Sequence, residues 1–174
     1  LRIMMTETQF WQLVTTTQPL ASSDELAELL TQNLTPLNDE DLAAFDKLFG
    51  QKMRDSYTWR LWGAAYIISG CNSEYAFAEF RCWLISRGQD VFERALKKPD
   101  TLSSLEIGVD KDGFFNPYLE EYDLIAGQIF EERTDQELPY VPSGQNQPFG
   151  KRFNDKRKHL KTSYPTLFEK YWQG

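Results

Sequence analysis

The residues best placed to do chemistry lie between Trp59 and Arg87. This stretch holds three of the five tryptophans, Trp59, Trp62 and Trp83, with Arg60, Arg81 and Arg87 among or beside them. At helical spacing Glu74, Ala78, Arg81 and Ile85 share one face, next to an apolar face of Phe77, Phe80 and Leu84. Arg81 then stands at the border of an aromatic core, and two readings follow. In one it is a structural clamp, stacked on a Trp or Tyr and paired with Glu74 or Glu79. In the other it is the cationic floor of a pocket walled by Trp59, Trp62, Tyr75 and Trp83, suited to an anionic or planar ligand. The candidate ligand-binding set is Arg60, Trp62, Glu74, Glu79, Arg81 and Trp83.

Other constellations fail on spacing. Asp110-Lys111-Asp112-Gly113 has the acids and glycine of a calcium loop. With Gly113 at the glycine turn, however, the distal acid falls at Leu119 and the first ligand at Gly108, so this is a turn. Gly144 to Lys151 is one residue too long for a phosphate loop, and Arg152 stands where a Ser or Thr must hold magnesium. Zinc needs several Cys or His ligands, and the chain has Cys71, Cys82 and His159 alone. His159 follows Arg157-Lys158 in a basic run and reads as solvated. Cys71, at a helix junction, reads as a small buried residue rather than a nucleophile activated by a helix N-terminus. Glu120, Asp123 and Glu131 share one rough helical face, which suits acid–base work or a metal but is more simply a solvated face. No catalytic residue, metal or cofactor is assigned.

The last candidate is electrostatic. From Lys151 onward seven cations face Asp155 and Glu169, a net +5. The whole chain carries −7, so residues 1–150 carry −12. Lys151, Arg152, Lys156, Arg157 and Lys158, interleaved with Phe153 and followed by Tyr164, form a possible contact for a nucleic-acid backbone. The acidic body and Asp155 argue against it. A basic segment beside an acidic body most simply packs against that body.

The elements that must position these residues are helical. Phe10, Trp11, Leu13 and Val14 open a short helix that Pro19 follows. Ser22-Ser23-Asp24-Glu25 starts a second, with Leu26, Leu29, Leu30 and Leu34 inward, ending at Pro36. Asn38-Asp39-Glu40-Asp41 starts a third with a stripe of Leu42, Phe45, Leu48, Phe49 and Met53, and Asp46 outside. Whether it runs unbroken through Gly50 is open, with a boundary near 55–57. Trp59 to Ile68 is apolar on nearly every face, so it must be surrounded by protein. Its Gly63-Ala64-Ala65 step admits a close neighbour, and Gly70 ends it. Ser73 caps the next helix. Asp90 to Lys98 is helical until Pro99, and Thr101 to Gly113 is looser. Asn116-Pro117 starts a helix with Leu119, Tyr122, Ile125, Ala126, Ile129 and Phe130 inward, ending near Thr134. Residues 135–150, rich in Pro, Gly, Ser, Asn and Gln, form a surface connection. Asn154 to Leu160 forms a helical turn, and Pro165 to Trp172 a last short helix able to dock through Leu167, Phe168, Tyr171 and Trp172.

The fold class is all-α: a single-domain, multi-helix orthogonal bundle around a central buried helical hairpin. Residues 5–134 form the main domain, 135–150 the connection, and 151–174 the basic segment with its docking helix. The length of 174 residues supports one domain with a full core, and the 14% of aromatic residues implies that a few large side chains carry that core. Two cysteines make no disulfide framework, and free thiols in a cytoplasmic protein are expected. No apolar run reaches the ~18 residues of a membrane span. Leu1 to Met5 is too short for a signal peptide, and Met5 is expected to be the natural start, with Leu1–Met4 upstream of it.

Several of these segments together resemble a bacterial family, domain of unknown function 4240. They are Phe10-Trp11, Trp62-Gly63-Ala64-Ala65, Phe80-Arg81-Cys82-Trp83-Leu84-Ile85, Gly88, Phe92-Glu93, Ala95-Leu96, Pro99-Asp100, the stretch from Glu120 to Thr134 and the closing Tyr164-Pro165 to Trp172. The family's inter-helix turn is usually richer in Gly and Asp than Ser69-Gly70-Cys71-Asn72-Ser73-Glu74, and no role for turn carboxylates is carried over. The resemblance implies no activity. The expected function is that of a cytoplasmic adaptor or regulatory module that binds a protein or a small ligand without chemistry. The alternatives are an enzyme or anion sensor using the Arg81 patch, and nucleic-acid contact through the basic segment.

Overall fold

A computed structural model describes residues 5–17, 21–140, 142 and 144–173. Pro19 and Leu1–Met4, on which two expectations rest, lie outside the described residues. Among the described residues are nine α-helices, two 3-10 turns and no strand, so the all-α expectation holds. The helices are α1 (Glu7–Val14), α2 (Ser23–Leu34), α3 (Asp39–Asp55), α4 (Trp59–Ser69), α5 (Glu74–Ser86), α6 (Gln89–Lys97), α7 (Ile125–Thr134), α8 (Arg157–Ser163) and α9 (Pro165–Tyr171). The 3-10 turns are Pro99–Ser104 and Tyr122–Leu124.

The first five helices begin where a side chain can take a free backbone N–H. Thr6 and Ser22 form capping boxes with Gln9 and Glu25. Asn38, Thr58 and Ser73 each accept from the amide three residues on. α3 passes through Gly50 without a break and stops at Asp55, which settles what its glycine left open. Gly70 ends α4 in the left-handed conformation (φ 69°), where a side chain would be strained.

One expected boundary moves. The helix predicted from Asn116 starts at Ile125, after the turn Tyr122–Leu124, because Glu121 sits in the left-handed region (φ 57°). The residues before it are held by partners outside any helix. The Leu119 amide donates to the Glu79 carbonyl at 3.1 Å, and the Tyr118 carbonyl accepts from Ser23 Oγ at 3.3 Å. Leu119, Tyr122, Ile125, Ala126 and Ile129 are buried as expected, but Phe130 is half-buried, and Glu120 does not share a helix with Asp123 and Glu131.

One continuous core runs through the described helices, with α5 near its middle. α7 lies on α2 and α3, and its Arg133 donates to the Leu37 (2.6 Å) and Thr35 carbonyls, closing the C-terminal end of α2. α4 packs on α9 and on Pro99–Ser104, and α5 packs on α3 and α6. Leu61, Trp62, Gly63, Ala64, Ala65, Ile67 and Ile68 are all buried, as an all-round apolar helix requires. The basic segment packs on the body, with Leu160, Tyr164, Leu167, Phe168 and Tyr171 buried; Trp172 is half-buried and stacks on Phe168.

The close neighbour admitted by Gly63 is the ring of Tyr164. A methyl group at Gly63 would meet Tyr164 Oη and lie 2.8 Å from Cζ. Burial pushes the Tyr164 phenol up to about 12, so it stays protonated and donates to the Arg60 carbonyl at 2.7 Å. α9 has no cap of its own, and the buried Asp100 supplies one from the far turn: its carboxylate accepts from the Leu167 amide at 2.8 Å and the Thr166 amide at 3.2 Å. Gly63→Ala is expected to destabilise the fold by about 1–3 kcal/mol in chemical denaturation, because the stiff Tyr164 ring must give way. An unchanged midpoint would show that the Tyr164 seat is not load-sharing.

Candidate functional site

Arg81 is the residue around which the candidate site is built. α3 ends at Asp55, so the Met53 carbonyl lacks a helical amide partner and is met from its own helix end by the Ser56 hydroxyl, at 3.2 Å. Arg81, on α5, adds a second donor, with Nη1 donating to Met53 O at 2.6 Å, while Nε donates to Phe77 O at 3.4 Å. Its Cζ lies 4.7 Å from the Tyr57 ring centroid and 4.9 Å from that of Phe77. The Tyr57 hydroxyl in turn donates to the Glu74 carboxylate, 3.0 Å from each oxygen. Arg81 is 8% exposed, and burial pulls its guanidinium below its ordinary value, although an arginine there stays charged at neutral pH. Burial, then the bond to Glu74, pushes the Tyr57 phenol up.

Arg81 thus ties α5 to the end of α3. The stacking partners are Tyr57 and Phe77 rather than a tryptophan, and Glu74 is reached through Tyr57. The same guanidinium forms part of the wall of a cleft of about 790 Å³ between α3, α5, Asp123 and the segment 137–140. Phe49, Met53, Tyr57, Leu138 and Tyr140 supply apolar and aromatic wall; Asp46, Glu74, Asp123 and Glu137 supply acid; and Lys47, Arg54 and Arg81 supply base. Burial, then the Asp123 charge, pushes the Asp46 carboxyl up. Asp123 keeps surface open to the cleft, yet the protein around it still raises its carboxyl.

The tryptophans expected to wall this pocket do not. Trp62 is 7% exposed, stacked between Trp59 (5.0 Å) and Phe77 (4.6 Å), with its Nε1 donating to the Cys71 carbonyl at 3.0 Å. It is a core residue, closed to ligand. Trp83 is also buried, against Phe80 and under the Arg87 guanidinium at 5.5 Å. Tyr75 is 86% exposed and outside the cleft wall. Glu79 is half-buried and outside it too; burial, then the charges of Glu120 and Asp123, raises its carboxyl. Asp46 and Tyr57, which do form the wall, carry no motif. Asp46 lies midway along α3 and Tyr57 two residues past its end.

Arg60 belongs to a second cleft. It meets Lys98, Lys151, Arg152 and His159 around a cavity of about 480 Å³, with Asp100, Phe153 and Tyr164. Arg152 lies 5.4 Å over the Trp59 ring. Lys156, Arg157 and Lys158 are exposed and outside this cleft, and Arg157 lies 5.8 Å over Phe168. The five expected nucleic-acid residues are therefore split between two places.

Thiol chemistry finds no foothold. Both cysteines are free and buried; burial pushes Cys71 up to about 11 and raises Cys82 further. Asp110 Oδ1 accepts from the Asp112 and Phe114 amides at 2.9 and 3.0 Å, which makes the rejected calcium motif a self-bonded turn. No group of three or more His, Cys, Asp or Glu able to hold a metal occurs among the described residues.

Two outcomes follow from burial. Trp62→Ala is expected to cost about 3–5 kcal/mol in denaturant unfolding, since it empties a stacked core position. Asp46→Asn is expected to raise the melting temperature at pH 7. The folded state holds the Asp46 proton more tightly than the unfolded chain, so the charged carboxylate opposes folding once pH exceeds the ordinary value of 3.8. The gain should shrink as pH falls and vanish below about 3.9, where both states are protonated. A gain independent of pH would show another cause.

No helix among the described residues is long and apolar enough to cross a membrane. No curated protein and no solved structure matches the chain. A family model does, over residues 5–132, and its description is protein of unknown function (DUF4240). That span holds α1 to α6, nearly all of α7, and every residue of the Arg81 clamp. The chain belongs to the DUF4240 family.

Proposed function

We propose that this chain is a ligand-binding module of the adaptor or regulatory kind, without chemistry of its own, and that its site is the cleft floored by Arg81. The observation that carries this reading is the cleft itself. Its volume of about 790 Å³ suits a small organic molecule, and its wall combines aromatic and branched apolar surface with a few convergent charges. Arg81 gives it a rigid floor, because the guanidinium is held by two carbonyls and two rings.

The ligand that fits is an apolar or planar body bearing one cationic group. Two donors of Arg81 are already committed to Met53 and Phe77, so it has less to offer an anion. Four acids line the cleft against three bases, and burial disfavours the charged forms of Asp46 and Asp123, a cost that a bound cation would offset. The same raised carboxyls favour one second reading, acid–base catalysis in this cleft.

Thermal-shift titration with tryptamine and tyramine, against tryptophol and tyrosol as uncharged counterparts, tests the first reading. The amines should raise the melting temperature of the wild type and the alcohols should not. Asp46→Asn and Asp123→Asn should each lose most of that response. An equal response in both variants, or none in the wild type, overturns the cationic-ligand reading. Conversion of a bound amine to product, lost in either variant, would replace it with the catalytic one.

A further inference from the structure

The basic cleft is independent of the Arg81 site and is built from parts that the sequence keeps far apart. Arg60 comes from α4, Lys98 follows α6, Lys151 and Arg152 lie before α8, and His159 lies on α8. Folding brings these side chains around one cavity of about 480 Å³, in a chain whose net charge is −7. The one acid in the wall, Asp100, is turned to the Thr166 and Leu167 amides. The Tyr164 hydroxyl is committed to the Arg60 carbonyl. Like charges gathered around a cavity repel one another, and a bound anion turns that cost into attraction.

We propose that this cleft binds a compact phosphate-bearing small molecule, with Arg60 and Arg152 as its main phosphate contacts and Lys98 and Lys151 completing the field. Guanidinium forks match phosphate oxygens in pairs, which isolated lysines do not. The volume lies within the range of small-ligand sites, and Phe153 gives the cavity an apolar side for a base or other planar group. The arrangement favours a compact anion over a nucleic-acid strand. The cations, all exposed, are grouped around the mouth of one cavity, whereas a strand needs them in line. The Lys156, Arg157 and Lys158 side chains that would extend the track lie outside it.

Isothermal titration calorimetry on the full chain, at low salt, with pyrophosphate and with adenosine triphosphate, tests this. Both should bind, and Arg60→Gln should weaken each by about tenfold or more. Lys151→Gln, which removes a point charge rather than a guanidinium fork, should weaken them less, and Arg157→Gln should leave them unchanged. Melting temperatures of all three variants should match the wild type; if Arg60→Gln unfolds, Lys151→Gln combined with Lys98→Gln serves in its place. Absence of binding by either probe overturns the proposal. So does a single-stranded oligonucleotide that binds more tightly than either probe and loses as much affinity on Arg157→Gln as on Arg60→Gln, which would make the segment a strand-binding surface. The amine titration above reads the other cleft, so either result can fail alone.

Discussion

Helix α4 is apolar all the way round, and burying its last face is the constraint on which the rest depends. It packs chiefly on α9 and on Pro99–Ser104, both distant in sequence, and its Gly63 face is closed by Tyr164, about a hundred residues further along. Reaching that face requires the long connection, the turn at α8 and the docking of α9. Docking α9 in turn leaves its first amides buried without a cap, which Asp100 answers. The basic cleft is a by-product of the same closure. Arg60, which points away from the buried faces of α4, ends up beside the residues that lead into α8.

Arg81 solves a different problem. A guanidinium taken out of water must keep its hydrogen bonds, or the cost of burial is several kcal/mol. Here the end of α3 presents a carbonyl without a helical amide partner, so two needs meet: a helix-end acceptor and a desolvated donor. The price is rigidity, since α3 and α5 are now locked at that point. The same locked side chain also borders the larger cleft, so that wall is rigid too.

The fold was largely legible because its signals are local. Caps at Ser22, Asn38 and Ser73, the glycine at position 70 and the all-apolar face pattern of 61–68 each depend on a few adjacent residues. The late start of α7 was not legible: Asn116-Pro117 is a good helix opening, and it loses to the tertiary bonds of Tyr118 and Leu119 and to the left-handed Glu121. The site was legible only in its centre. Arg81 stood out against its aromatic surroundings, and Glu74 was named with it. The tryptophans misled because size and distinctiveness mark a core residue as readily as a ligand wall. Asp46 looked like a solvated residue of α3, and nothing in the sequence says that Asp123 and the segment 137–140 come to lie across from it. Likewise Arg60 and Arg152 were both named, but for different sites, since only the seat of Tyr164 brings their segments together.

The family match ends at residue 132, whereas the ring that fills the Gly63 notch lies at 164. The family's boundary is therefore not the boundary of the folding unit. Residues 5–132 taken alone would present an open notch lined by α4, with the Asp100 carboxylate beside it offering acceptors to a vacant helix start. In this chain the tail is the plug for that notch: an aromatic ring with a hydroxyl, followed by a short helix whose first amides rest on an acid.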